Sequence, residues 1–408
     1  MIDYGTFDSH LMNRIQNAFK PYGFAYSIYQ IDSGGPVRKA HNSHGYRNKS
    51  KDAISIHSVT EMDSMSKTIT AMAMLKLISK VPEVRAAFDA AKSTTTGSSA
   101  WTTWNSKVNK YLDHKISGLM PPRSQTGINW NHLPAAKTIT IKNLLLHTSG
   151  LDPNAGDDPG SIEGALKSWT GTTSSTVYAN PNYDLFRYII PVFSDKYVTP
   201  QPLLAAFEAL QQMPLGAELF EIMIGALYAI IVQEDVMKIF PSTSLPSIQP
   251  WGSQVEFANQ AGTHFWDIMN DVGPWSTLCG SWGWKMSVDQ YAKLMASVAD
   301  GTVMPKEYWM LMTQSADTHG YGYGVYWVDS DQAKVKSAGR YYTHNGADGT
   351  SPEIAGEGFW IAWGSTAMAF RLDSPLKGSY GMPSSTAPDN SLGNLWDAVD
   401  AALNAALT

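Results

Sequence analysis

The sequence predicts an α/β (α+β) protein: an antiparallel sheet flanked by helices and assembled from both ends of the chain, with a mostly helical lobe inserted between. Three observations predict it. Two strand-like runs joined by a tight turn follow the first helix, a second group of strand-like runs lies beyond about residue 275, and the signals between roughly 90 and 270 are helical. The expected division is 1–85 with 272–408 for the sheet domain and 86–271 for the helical lobe, the functional cleft lying between them.

Apolar residues recur at helical spacing in "FDSHLMNRIQNAF". "GFAYSIYQID" and "PVRKAHNSHGYRN", separated by Ser-Gly-Gly-Pro, then read as a hairpin. From Met65 to Ile78, "MSKTITAMAMLKLI" is apolar on nearly every side, which predicts a helix buried all round. In the middle of the chain, helical segments are separated by Gly, Pro, Ser and Thr-rich loops such as "KSTTTGSSAWTTWNS" and "NAGDDPGS". "SWGWKMSVDQYAKLMASVA" reads as strand then helix. "YGYGVYWV", "YYTHNG" and "FWIAWGSTAMAFRL" read as strands, and "LGNLWDAVDAALNAAL" as a closing helix.

Composition narrows the function. Of the 408 residues 43% are hydrophobic, which fits a folded chain rather than a disordered one. The net charge of −6, with no run of Lys or Arg, makes nucleic acid an unsuitable partner. No uncharged apolar stretch of about 18 residues exists to span a bilayer, and "MPLGAELFEIMIGALYAIIVQ", carrying Glu218 and Glu221, reads as a buried helix. Cys279 is the only cysteine, so neither an intrachain disulfide nor a cysteine zinc cluster can form. "MIDYGTFDSH" lacks the basic-then-apolar pattern of a signal peptide. Charged residues amount to 16%, below the roughly 25% usual in soluble proteins, while Trp, Tyr, Ser and Thr are plentiful. That balance favours a mature exported chain over a cytoplasmic one.

The chemistry-bearing segment is "EMDSMSKTIT", residues 61–70, where Ser64 and Lys67 stand three apart at the head of the apolar helix. That spacing puts both side chains on one face, and the helix start offers N–H groups to developing negative charge. A lysine acts as base only when neutral, so burial and a second basic group must lower its reference pKa near 10.4. For an isolated Ser-x-x-Lys the ordinary reading is an N-cap serine and a solvated lysine, and Ser374-Pro-Leu-Lys377 repeats the spacing in a Pro/Gly-rich turn.

"TITIKNLLLHTSGLDP", residues 138–153, reads as a helix closed by a His-Thr-Ser-Gly turn, with Gly150 suited to a left-handed C-cap; His147 is a candidate base, but its place at a helix end favours bonding carbonyls and fixing the loop. "YANPNYDLFRY" sets Tyr178 and Asn180 in a Pro-containing loop before a helix: a phenol acidified by a lysine can shuttle protons, and an Asn amide can hold a carbonyl. Tyr46-Arg-Asn48 has the same pattern at a hairpin end. "YYTHNGAD" places His344, Asn345 and Gly346 at the end of a strand-like run. There the glycine allows a ligand backbone close approach, and His344 could donate to a carboxylate or to Tyr178.

In this order, Ser-x-x-Lys, Leu-Leu-x-His-Thr-Ser-Gly-Leu, Tyr-x-Asn and His-x-Gly resemble the serine β-lactamase superfamily, in its branch of class C β-lactamases, carboxypeptidase-type DD-peptidases, D-aminopeptidases and esterases. The resemblance runs from about residue 10 to the C-terminus and implies the β-lactamase/DD-peptidase-like fold. It implies Ser64 as acylated nucleophile, Lys67 as its base, Tyr178 as proton shuttle and Asn180 as the group orienting the substrate carbonyl. The backbone N–H groups of Ser64 and Ala347 would form the oxyanion hole, with His344, Asn345 and Gly346 lining the substrate site beside it. His344 stands where class C β-lactamases carry Lys, which turns the expectation away from a penicillin-destroying enzyme. Residues 90–137 and 191–224 are long for the family and would shape the cleft.

The expected activity is hydrolysis of a small carboxylic ester or amide through an acyl-serine. The alternatives are acyl transfer on the same fold, and a penicillin-binding or sensing module with little turnover. There is no Gly-x-Ser-x-Gly elbow, which disfavours an α/β-hydrolase, and with no His-Glu-x-x-His and no Gly-rich phosphate loop no cofactor or metal is expected.

Overall fold

Side-chain alternation along the strands decides how the protein is layered. The computed structural model describes residues 2–18, 23–46, 51–95, 97–121, 129–156, 158–200, 216–248, 255–258, 265–268, 279–313, 320–328, 341–351, 354–374 and 391–407. Helix α1 (Tyr4–Ala18) leads into β1 (Gly23–Asp32) and β2 (Gly35–His44), a hairpin as the sequence indicates. Two-residue β3 (Thr60–Glu61), β4 (Ser247–Ile248) and three-residue β5 (Trp284–Met286) form a small sheet in the order β3-β5-β4. The large sheet is completed by β6 (Tyr326–Val328), β7 (Tyr341–Ser351), β8 (Ile354–Trp363) and β9 (Thr366–Ser374), in the order β2-β1-β9-β8-β7-β6. Its antiparallel β1–β9 pairing, with Ala25 opposite Arg371, joins the two ends of the chain.

Phe24, Tyr26, Ile28, Met368, Phe370, Ile361 and Trp363 point to one face and pack with α1 and the closing helix Ser391–Ala406. The opposite face carries small residues, Ala25, Ala362, Ala367 and Ala369. Their size lets helices lie close to the strands on that face. The helix α2 (Ser66–Lys80) is buried all round as its sequence indicates: of its residues from Ser66 to Ile78, all but Lys76 are buried. The apolar cluster that includes α2 and this inner face continues without a break through the helical middle of the chain, from Ala25 to Ala369. The expected domain boundary at 271/272 lies outside the described residues.

Two local readings need correction. "KSTTTGSSAWTTWNS" is not all loop, because a helix runs from Ser99 to Leu112. Trp101 and Trp104 meet edge-to-face, and Trp104 meets Phe88 and Tyr308, so aromatic packing outweighs the poor helix propensity of Ser and Thr. In "YGYGVYWV" only Tyr326–Val328 is strand; Tyr321 makes an isolated bridge to Tyr326. The Gly216–Val232 segment is helical, with Glu221 buried, as expected. The second Ser-x-x-Lys leaves the described residues after Ser374, and Tyr46-Arg-Asn48 after Tyr46. No helix among the described residues is long and apolar enough to cross a membrane.

Candidate active site

Ser64 occupies a 3-10 turn, Asp63–Met65, that runs directly into α2. The N-cap of α2 is Met65 and makes no side-chain capping bond, so the serine is not spent on closing the helix. Lys67, fully buried, instead donates from Nζ to Ser64 Oγ at 3.0 Å, to Asn180 Oδ1 at 2.9 Å and to the Ser281 carbonyl at 3.1 Å. These three acceptors match the three N–H bonds of an ammonium. A neutral amine would keep two of them and turn its lone pair to the Ser64 hydroxyl. Ser64 itself is half-buried, at the boundary between this interior and the surface.

The loop bearing Tyr178 and Asn180 is set by the segment around His147. Thr140 and Asn143 form a capping box at the start of the short helix Ile141–Leu145. The left-handed residue that ends this helix is His147 itself, at φ +55°, rather than Gly150 as the sequence indicates. From there the His147 carbonyl accepts from Val177 N–H at 2.8 Å. Its ring Nδ1 accepts from Ala179 N–H at 3.2 Å and lies 2.9 Å from the Asn182 amide. Burial first, then the charge of Lys67, holds the His147 imidazole well below its usual pKa, so it works as a neutral acceptor that fixes the loop. Tyr178 stacks against it with ring centroids 4.5 Å apart, and Lys67 Nζ lies 4.9 Å from the Tyr178 ring centroid.

Gly150 is also left-handed, at φ +75°, but for a steric reason: a Cβ there would meet the Gly171 carbonyl oxygen at 1.8 Å. Gly150→Ala is therefore expected to lower stability by about 3 kcal/mol or more. A thermal melt matching that of the parent protein would contradict this account of the loop.

On the sheet side, β7 brings the third motif to the turn that holds Ser64, although not in the way the sequence suggests. A Cβ on Gly346 would stand 2.6 Å from the Met62 carbonyl oxygen and 3.2 Å from Ser64 N, so this glycine makes room for the turn that holds Ser64. His344 is turned inward and 1% exposed. Its Nδ1 lies 2.6 Å from the Asn345 carbonyl, its Nε2 3.5 Å from Tyr321 Oη, and its ring centroid 6.4 Å from that of Tyr178. Burial, then Lys67, pushes its pKa down to about 3, so the imidazole is neutral and offers no cation to a substrate carboxylate. Asn345 pairs with Phe359 in β8 and shares its strand face with Thr343 and Tyr341, the face directed to α1 and away from Ser64. Ala347 follows in β7 opposite Glu357.

Five contributors escaped the sequence reading. Ser281 supplies a carbonyl to Lys67, and buried Asp184 holds Ser281 by accepting from its backbone N–H and its hydroxyl. Tyr321 packs between His147 and His344, at 4.9 and 6.2 Å between ring centroids. Asp63 and Arg371 form a buried ion pair at 2.9 Å in the turn that holds Ser64. All five lie within segments read as motif, helix or strand, but nothing in their local pattern marks them as part of this site. Among the described residues no group of three or more His, Cys, Asp or Glu could hold a metal ion.

Residues 25–199, which contain Ser64, Lys67, Tyr178 and Asn180, match the Beta-lactamase family model. No curated protein matches the chain. Among solved structures, the chain resembles the D-amino acid amidase of Ochrobactrum anthropi SV3 at TM-score 0.56 and 14% identity, over 97% of this chain and 98% of that one. It resembles the D-stereospecific amidohydrolase of Streptomyces sp. at 0.52 and 14%, over 91% and 95%. A penicillin binding protein of Bacillus halodurans gives 0.53 and 13%, over 90% and 95%. At these identities the solved structures establish the fold, and the family model adds the sequence of the segments that carry the serine, lysine and tyrosine. Residues 25–199 thus match the Beta-lactamase family in sequence, and the chain as a whole has the β-lactamase/DD-peptidase-like fold.

Proposed function

We propose that the protein is a serine hydrolase that cleaves a small carboxylic ester or amide through an acyl-Ser64 intermediate. The observation that carries this reading is the 3.0 Å contact between Ser64 Oγ and the amine of fully buried Lys67. In the proposed cycle Ser64 Oγ forms a bond to the substrate carbonyl carbon while its proton passes to Lys67. Asn180 Oδ1 and the Ser281 carbonyl then hold the ammonium. Tyr178 returns that proton to the departing alcohol or amine as the C–O or C–N bond breaks. Water, deprotonated through the same groups, then releases the acid and restores Ser64. The oxyanion would sit between the backbone N–H groups of Ser64 and Ala347, a hole commonly worth about 3–4 kcal/mol per donor. Two features support that placement: β7 packs on the nucleophile's turn at Gly346, and among the described residues β6 pairs with β7 only as far as Thr343.

Hydrolysis is favoured over acyl transfer because Tyr178 is 36% exposed, which leaves water a route to the acyl group. A neutral acyl donor is favoured over a penicillin because His344 is buried and uncharged. The likeness to a D-amino acid amidase and a D-stereospecific amidohydrolase makes D-amino acid amides the first amides to try.

The test is intact-mass analysis after exposure to p-nitrophenyl esters, D-amino acid amides and a penicillin in parallel, followed by peptide mapping. The expected result is one acyl group on the peptide containing Ser64, from the esters or amides and not from the penicillin. Turnover without an adduct, even under rapid quench, or an adduct on another residue would refute the mechanism.

A further inference from the structure

Directly before the nucleophile, Asp63 adopts φ +45°, one of three non-glycine residues at positive φ in the described chain. Left-handed backbone strains an L-residue, least so Asn and Asp, and persists where the surroundings over-determine it. Here they do. Arg371 comes from β9, on the sheet face that carries Ala367 and Ala369, and is buried. One of its nitrogens, Nη1, donates to Asp63 Oδ2 at 2.9 Å and to the Glu61 carbonyl at 2.7 Å, so it grips the turn on both sides of Met62. Met62 N–H donates to the Trp284 carbonyl and Met65 N–H to the Met62 carbonyl, while Gly346 closes the other side. The second carboxylate oxygen, Oδ1, is buried without a hydrogen-bond partner among the described residues. A glycine would satisfy the backbone alone, so the carboxylate calls for a further account.

We propose that Asp63 is a positioning residue for acylation: clamped by Arg371, its carboxylate fixes the left-handed turn that presents Ser64, and its charge acts on the Lys67 amine. This rests on the reading of Ser64 as nucleophile and Lys67 as base. Other titratable groups facing that amine are His147 and His344, both kept neutral by burial, and Tyr178, whose ring lies over it; Asp184 acts through Ser281. Glu61 and Arg371 stand behind Asp63. Burial raises the Asp63 pKa, and Arg371 and then Lys67 oppose that rise, so the three groups share one electrostatic balance.

The experiment compares the parent protein with Asp63→Asn, which keeps the left-handed tolerance and removes the charge, and with the double variant Asp63→Gly/Arg371→Met, which removes both charges and relieves the backbone. Circular dichroism and thermal melts establish folding. Stopped-flow release of p-nitrophenolate gives the acylation rate across pH, and intact mass confirms the adduct on Ser64. Asp63→Asn is expected to slow acylation about 100-fold, the cost of a small misplacement of a reacting group, with little change in KM. The acid limb of its pH profile should move to lower pH, because an anion no longer favours the proton on Lys67. The double variant is expected to fold and show the same slowing, and it decides the matter should Asp63→Asn not fold. Folded variants with the parent rate and pH profile would overturn the proposal. If the parent forms no adduct on Ser64, the fault lies with the nucleophile assignment instead.

Discussion

Ser64→Ala is expected to lower hydrolysis of an activated ester by a factor on the order of 10⁶, the scale on which loss of a catalytic serine acts, because no other group replaces the hydroxyl. The structure also says what should not change. Ser64 makes no capping bond for α2, and the helix is held by burial along almost its whole length. Losing the hydroxyl removes one contact of the Lys67 amine and leaves Asn180 and Ser281 in place, so stability should move by about 1 kcal/mol at most. The comparison needs steady-state rates on p-nitrophenyl acetate beside a thermal melt. Residual activity within tenfold of the parent, in a folded protein, would remove Ser64 from the mechanism.

Lys67→Met should be almost as damaging to the chemistry and much kinder to the fold than truncation to alanine. Met fills a similar volume and needs no hydrogen bonds, and removing a buried amine from an apolar helix is often neutral or stabilising. Acylation, however, loses the only amine placed on the Ser64 hydroxyl among the described contacts, and general-base loss commonly costs about 10²–10⁴-fold. Single-turnover stopped-flow separates this from slower product release. A loss below tenfold would point to another base. His147 would be a poor substitute, since its ring Nδ1 is engaged by Ala179 and Asn182.

Much of this centre was legible in the sequence because its signals are local. An apolar run on every side of Ser64-x-x-Lys67 required a buried helix, and burial makes an exposed lysine impossible. The His-Thr-Ser-Gly turn after "LLL" and the proline after Tyr178 and Asn180 likewise marked where chain direction changes. What was missed depends on partners far away in the chain. Arg371 looks like a surface residue in a strand, and only the closure of β9 on β1 turns it toward Asp63. Asp63 looks like an ordinary turn residue until its φ is known. Asn345 was grouped with Gly346 as one motif, yet consecutive strand residues face opposite ways, so a tripeptide in a strand cannot present all its side chains to one ligand. The Ser99–Leu112 helix was hidden by Ser and Thr propensity, although Trp104, Val108, Tyr111 and Leu112 already carry helical spacing.

The closure of the sheet by its first and last strands also governs when the turn that holds Ser64 can first be completed. Synthesis proceeds from the N-terminus, so Ser64 and Lys67 leave the ribosome hundreds of residues before Arg371, and β1 waits throughout for β9. Joining strands so distant in the chain is entropically slow. A nascent polypeptide of this design therefore carries Ser64 unaimed, and the turn around it is completed only once β9 brings Arg371 and joins β1.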